Sequence, residues 1–228
     1  MRDKATLPIP EVYDFSHVIS EDLTVFPKPW HKPIRFETLG TMLEVGRRTA
    51  HVSIGTHAGT HIDAPSHFLE DGISIDKLPI RHFFGKGTIF RIKNFDISSE
   101  LPLSLFKSVL KNFQIGNGLF FNFGWGANFK NSRKYYRNQP WISPETAKFI
   151  CNFEPKIVGY DMAMLDNPAV GQGCAFDSPI HKIFLGAGIP LLENAKFLDS
   201  TFGDFNFSAT PLSFKNLDGS PVRFVGWR

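Results

Sequence analysis

In "LPLSLFKSVLKNF" (101–113), Phe106, Val109, Leu110 and Phe113 recur at i, i+3, i+4 and i+7. That spacing predicts an amphipathic helix with one apolar stripe. "GTIFRIKNF" (87–95) and "GLFFNFGW" (118–125), on either side, are Gly-led, aromatic-rich runs of strand length. "ISPETAKFICNF" (142–153) predicts a second helix, with Ser143 as N-cap, Pro144 at the first helical position and Glu145 near the positive end. "KIVGYDM" (156–162) reads as a buried strand. "DSPIHKIFLGAGIPLLEN" (177–194) predicts a short helix started by Ser178 and Pro179 and ended by Gly186 or Gly188, followed by a strand over "IPLLEN". Strand–helix–strand alternation of this kind implies an α/β fold. The first seventy residues are rich in Pro, His and β-branched residues and predict irregular strands and loops. The stretch 126–141, "GANFKNSRKYYRNQPW", is too long for an ordinary connector: an exposed surface loop on one reading, a lid or subunit contact on the other. With no repeat, low-complexity tract or linker, residues 1–228 are expected to form a single domain.

Composition narrows the function classes. A formal charge of +3 over 228 residues leaves no electrostatic footprint for nucleic acid or a membrane surface. No apolar run approaches the roughly 20 residues that span a bilayer, and "MRDKATLPIPEVYDF" lacks a signal-peptide core. Cys151 and Cys174 have neither metal-finger nor redox spacing. The expectation is a cytoplasmic enzyme with reduced thiols. Aromatic residues make up 14% of the chain, mostly as 24 phenylalanines, which suits an apolar core and also a pocket for a flat substrate.

Candidate chemistry concentrates in "HAGTHIDAPSH" (57–67), which holds three of the eight histidines and an aspartate. Imidazole nitrogens and carboxylate oxygens are the donors of a transition-metal site. His57 and His61 lie four apart, Asp63 two further on, and His67 four beyond that. One helical turn, or a tight loop at Gly59, would bring the two rings together, whereas Pro65 argues against a long helix through the motif. Three protein ligands leave open positions, as in catalytic rather than closed structural sites. Taken alone, an H-x-x-x-H pair is weak evidence, and His181 and Glu193 read as an ordinary helix-start histidine and strand glutamate.

The motif resembles the H-x-G-T-H-x-D-x-P-x-H signature of the cyclase family, metal-dependent hydrolases that include bacterial kynurenine formamidases and isatin hydrolases. The likeness runs along nearly the whole chain. "YDFSHVIS" (13–20) is similar to the family's opening strand, "NFGWGANF" (122–129) to its T-G-W segment and "SPETAKFI" to the helix that follows. "VGYDMAMLD" (158–166) resembles G-x-D-x-x-S-x-D, with Met164 in place of the usual Ser. "HKIFLGAGIPLLENAKFL" and "LDGSPVRFVGW" match the family's C-terminal segments.

The resemblance implies a swivelling β/β/α fold with a mixed sheet core, assembled as homodimers or homotetramers. It also implies one or two divalent ions, zinc as in formamidases or manganese as in isatin hydrolases. His61 and His181 would serve one ion and His57 the other, with Asp63 and Glu193 shared. His67 matches the catalytic histidine, paired in the family with the metal-bound carboxylate. Phe26 takes a position that contacts substrate in relatives, although a plain core phenylalanine fits equally well. Lys28 and Pro29 depart from the Gly-Asp common there, which affects substrate more than chemistry.

The implied reaction is hydrolysis of the C–N bond of a small aromatic amide, N-formylkynurenine being the first candidate. Opening of an isatin-type lactam or a lactone is the alternative. A histidine can take a proton from water and return it to the leaving nitrogen. Glu193 could share that relay, but a carboxylate engaged by a cation is a poor proton acceptor, so the larger catalytic role falls to His67. A non-catalytic metal-binding protein is the competing class. It has no use for a proton shuttle beside its ligands.

Overall fold

The computed structural model describes residues 10–170, 177–198, 200 and 203–228. Cys174 and the start of the N-terminal segment lie outside them. Nine strands among the described residues form one mixed sheet. At its centre, Phe84–Arg91, Gly118–Asn122, Ile157–Tyr160 and Leu191–Glu193 run parallel to one another. The middle two are buried at every position, as expected of parallel strands covered on both faces. Beyond Leu191–Glu193 the sheet turns antiparallel, through His61–Asp63 to Gly219–Pro221. Its other flank is also antiparallel, through Gly203–Ser208 and Val225–Trp227 to Val12–Asp14.

Strand alternation divides the core into two layers. Leu119 and Phe121 face the helices, among Phe106, Tyr160 and Phe184. Phe120 faces the opposite way, among Phe205, Phe207 and Phe224. A side chain at Gly87, Gly118 or Gly159 would meet the Phe120 ring at 2.8, 2.7 or 2.6 Å. These glycines therefore let one large ring lie across three strands. Among the described residues, seven phenylalanines are buried in this layer, packed edge-to-face as in Phe120–Phe207 at 5.0 Å.

The predicted helices form, with shorter bounds. Leu103–Val109 continues as a 3-10 turn through Asn112, and Phe106, Leu110 and Phe113 of its stripe are buried. Pro144–Cys151 is capped as expected, the Ser143 hydroxyl accepting from the Thr146 amide. Pro179–Gly186 begins after Ser178, but that residue is in the left-handed region and makes no side-chain cap. The Asp166 carboxylate accepts from the Ile180 and His181 amides instead, satisfying donors that a helix start leaves unpaired.

Residues 126–141 are not a bare surface loop. They contain the helix Ser132–Arg137, capped by Asn131, and they bury Tyr135 and Tyr136. The first seventy residues carry the expected irregular pieces. Among these is a separate hairpin, Arg35–Gly40 with Thr49–Ser53, that leaves Phe36, Leu39 and Val52 exposed.

Candidate metal centre

Gly59 adopts a left-handed conformation (φ 63°) and turns the chain into the short strand His61–Asp63. Alternate residues of a strand share a face, so His61 and Asp63 project together while Ile62 enters the core. Glu193 stands directly opposite His61 in the antiparallel pair. Helix Pro179–Gly186 supplies His181 in its first turn. Pro65 then starts a 3-10 turn that ends at His67.

These side chains converge. His61 Nε2 lies 3.3 Å from Asp63 Oδ1 and 3.5 Å from Glu193 Oε2. His181 Nε2 lies 3.0 Å from Glu193 Oε1 and 3.6 Å from Asp63 Oδ2. His57 Nδ1 approaches Asp63 Oδ1 to 2.7 Å. The structure thus brings all five sequence-predicted ligands together, with His67 beside them. Its ring stacks on His57 at 3.8 Å. The resemblance pairs this histidine with a metal-bound carboxylate; here His67 Nδ1 hydrogen-bonds Asp218 at 3.0 Å, a residue outside the expected ligand set.

A surrounding shell aims the donors. His61 Nδ1 hydrogen-bonds the Gly59 carbonyl at 2.8 Å, and His181 Nδ1 the Asp166 carboxylate at 2.5 Å. Each ring therefore turns Nε2 toward the two central carboxylates, the orientation that ligand histidines take from their outer partners. The Tyr160 hydroxyl donates to Glu193 Oε1 at 2.7 Å. The Tyr135 hydroxyl donates to Asn194 Oδ1, and Asn194 Nδ2 donates to the Gly59 carbonyl.

Burial opposes charge on His61, yet hydrogen bonds and attraction from Asp63 and Glu193 override it and raise its pKa to about 10. His57 is raised to about 9 against the same opposition, by Asp63 and Asp218. His181 is raised well above its ordinary value by Asp166 and Glu193. Burial would raise Asp63 and Glu193, but the neighbouring imidazoles hold both below the usual carboxylate range. Two carboxylates this buried demand positive charge. Protons on the imidazoles meet that demand, and a divalent cation would meet it with the same nitrogen and oxygen donors. Two donor groups, His57–His61–Asp63 and Asp63–His181–Glu193, share Asp63, so the residues fit one ion or two.

The donors floor a cavity of ≈ 160 Å³ walled by Phe26, Trp30, Phe68, Tyr136 and Met164. Phe26 packs against the core and also lines the cavity, edge-on to Tyr136 at 5.3 Å. His31 also lines the cavity and is kept neutral by burial, its pKa lowered to about 4. Asp218, Asp166, Tyr160 and His31 were not singled out by sequence reasoning. The segments "LDGSPV" and "VGYDMAMLD" contain three of them, but only the fold places these near the motif.

Comparison with known proteins identifies the family. The "Putative cyclase" family model matches residues 13–167, and the chain belongs to that family. It is 26% identical to a kynurenine formamidase of Geobacillus thermodenitrificans over 211 residues, 92% of this chain and 94% of the relative. Among solved structures it resembles isatin hydrolase A from Labrenzia aggregata bound to benzyl benzoate, with a TM-score of 0.80 and 23% identity over 96% of this chain and 93% of that one. An isatin hydrolase bound to the product analogue thioisatinate gives a TM-score of 0.83 at 18% identity, over 96% and 92% of the two chains. These likenesses match the mixed α/β architecture expected from the sequence.

Proposed function

We propose that this protein is a metal-dependent hydrolase that cleaves the C–N bond of an aryl formamide or cyclic amide. The observation that carries the reading is the convergence of His61, His181, Asp63 and Glu193 on one buried point, with His67 outside that set at the cavity edge. In this reading His57, His61, Asp63, His181 and Glu193 hold one or two divalent ions, zinc or manganese. A cation held there supplies Lewis-acid activation of water and of a substrate carbonyl.

The protein's own groups do the rest. His67 takes the proton of the attacking water and delivers it to the departing nitrogen, general base and then general acid. Glu193, pinned by Tyr160 and His181, orients the ligand set and plays the smaller part in proton transfer. Phe26, Trp30 and Tyr136 give a flat ring an apolar wall to lie against. N-formylkynurenine is the first substrate candidate because the kynurenine formamidase relatives match along more than nine-tenths of this chain.

Assembly as a homodimer or homotetramer and a cytoplasmic location belong to the same proposal. The test is a panel assay: protein loaded with zinc or manganese is offered N-formylkynurenine, isatin and a simple aryl lactone. Turnover of the formamide above the others is expected. Absence of turnover across the panel would remove the substrate assignment.

A further inference from the structure

Asp218 is a third exposed at its side chain and distant in sequence from the motif, yet its carboxylate reaches two of the site's imidazoles. Its Oδ2 lies 2.7 Å from His57 Nε2 and 3.0 Å from His67 Nδ1, and its Oδ1 accepts from the Thr56 hydroxyl at 3.0 Å. The backbone is fixed as well, since the Asp218 carbonyl accepts from the Ala64 amide at 2.8 Å. Gly219 follows, where a Cβ would meet the Ile62 carbonyl oxygen at 2.7 Å and His57 Cε1 at 2.9 Å. Only a residue without a side chain lets this strand press so closely on His57, and that closeness sets the Asp218 carboxylate between two imidazoles.

We infer that Asp218 is a positioning residue: its carboxylate fixes the tautomer of His67 and holds the His57 ring by Nε2. An ionised carboxylate only accepts hydrogen bonds, so both nitrogens facing it are donors. His67 then carries its proton on Nδ1 and keeps Nε2 bare as the nitrogen able to take a proton. His57 faces a carboxylate at each nitrogen, Asp218 at Nε2 and Asp63 at Nδ1, so it donates from both, and Asp218 keeps the Nε2 proton in place if Nδ1 gives its own up to a cation. One oxygen thus couples the proposed proton shuttle to a proposed metal ligand, the arrangement by which a carboxylate holds a catalytic imidazole in its working form. The role of His67 rests on the hydrolase reading, whereas the tautomer assignment does not.

His57, His67 and Asp218 also form a set of donors close enough to hold a cation themselves. Solvent already meets part of the charge on Asp218, whereas Asp63 and Glu193 are buried and have no such relief. The ion demand therefore lies with the buried pair, and Asp218 is left to the imidazoles.

The test uses zinc-loaded protein labelled with 15N-histidine. Nitrogen chemical shifts of neutral His67 in the wild type should show a proton on Nδ1. Asp218→Ala should shift the ring toward the Nε2–H form, and Asp218→Asn, whose carbonyl can still accept, should restore Nδ1–H in part. On whichever panel substrate is turned over, Asp218→Ala should lower kcat roughly 100-fold with KM within about threefold and zinc content unchanged. A wild-type Nε2–H form overturns the inference even where the alanine variant does not fold, as does an Asp218→Ala ring that keeps its wild-type tautomer. Loss of zinc from Asp218→Ala overturns it in favour of a ligand role. If the wild type hydrolyses none of the panel, the substrate assignment falls and the nitrogen shifts still decide the tautomer.

Discussion

At the scale of single residues, the site separates groups that would hold an ion from groups that would move a proton, and the two kinds should fail differently. His67 is partly exposed and hydrogen-bonds Asp218, outside the His61–His181–Asp63–Glu193 cluster. His67→Ala is therefore expected to keep its metal, measured by elemental analysis, while kcat falls roughly 10²–10⁴-fold, the usual worth of a positioned general base. Simultaneous loss of metal and fold would instead mark a structural histidine and support the non-catalytic class. Asp166 should show the opposite pattern. It receives the His181 ring and the first amides of that helix, so Asp166→Asn loosens a ligand without touching substrate. Metal affinity should drop roughly 10–100-fold, as for other partners that orient ligand histidines. With saturating metal, kcat should recover most of its wild-type value, and a titration against a fluorescent zinc chelator followed by assay at high zinc would show both.

At the scale of elements, helix Ser132–Arg137 is tied into the site from behind. The Tyr135 hydroxyl reaches Asn194, Asn194 reaches the Gly59 carbonyl, and that carbonyl receives His61 Nδ1. Tyr135→Phe removes one buried donor and leaves Asn194 Oδ1 without it. A loss of about 1–2 kcal/mol is expected, seen as a lower Tm of the metal-free protein, and metal binding should weaken because the His61 support loosens. An unchanged Tm would show that the helix closes over the site without bracing it. The sequence signalled some elements well and others poorly, for identifiable reasons. The stripe Phe106–Leu110–Phe113 and the cap Ser143–Pro144 are local patterns, and both became helices. The stretch 126–141 read as a surface loop or as a lid or subunit contact, and neither reading foresaw the burial of Tyr135 and Tyr136, which depends on segments far away in the chain. The site divides in the same way. The spacing of His57, His61 and Asp63 was visible because turn and strand are local. Resemblance alone promoted His181 and Glu193, and nothing in the chain order connects Asp218, 151 residues from His67, with the imidazole it holds.

At the scale of the whole molecule, the cost of keeping this site buried should appear as a dependence of stability on pH that reverses with metal. In the metal-free protein, His57 and His61 have pKa values raised to about 9 and about 10. A basic group raised in the folded state stabilises fully below its unfolded value, about 6.5 for histidine, and that contribution is lost as pH climbs through the folded value. Asp63 and Glu193 are depressed. Their contribution is present above their unfolded values, roughly 4, and is lost as pH falls toward the lower folded ones. The contribution of this centre to the metal-free fold should therefore be greatest at mildly acidic pH, between roughly 5 and 6.5, and weaken steadily toward pH 9.5. A bound cation supplies the positive charge without protons, and its binding releases those the imidazoles held. Metal should thus add little to Tm near pH 6 and progressively more as pH rises. Scanning calorimetry of EDTA-treated and zinc-loaded protein from pH 6 to 9.5 tests this directly. Curves that run parallel across the range would mean that the imidazoles do not hold the protons the carboxylates demand, and the case for a cation at this centre would lose its electrostatic footing.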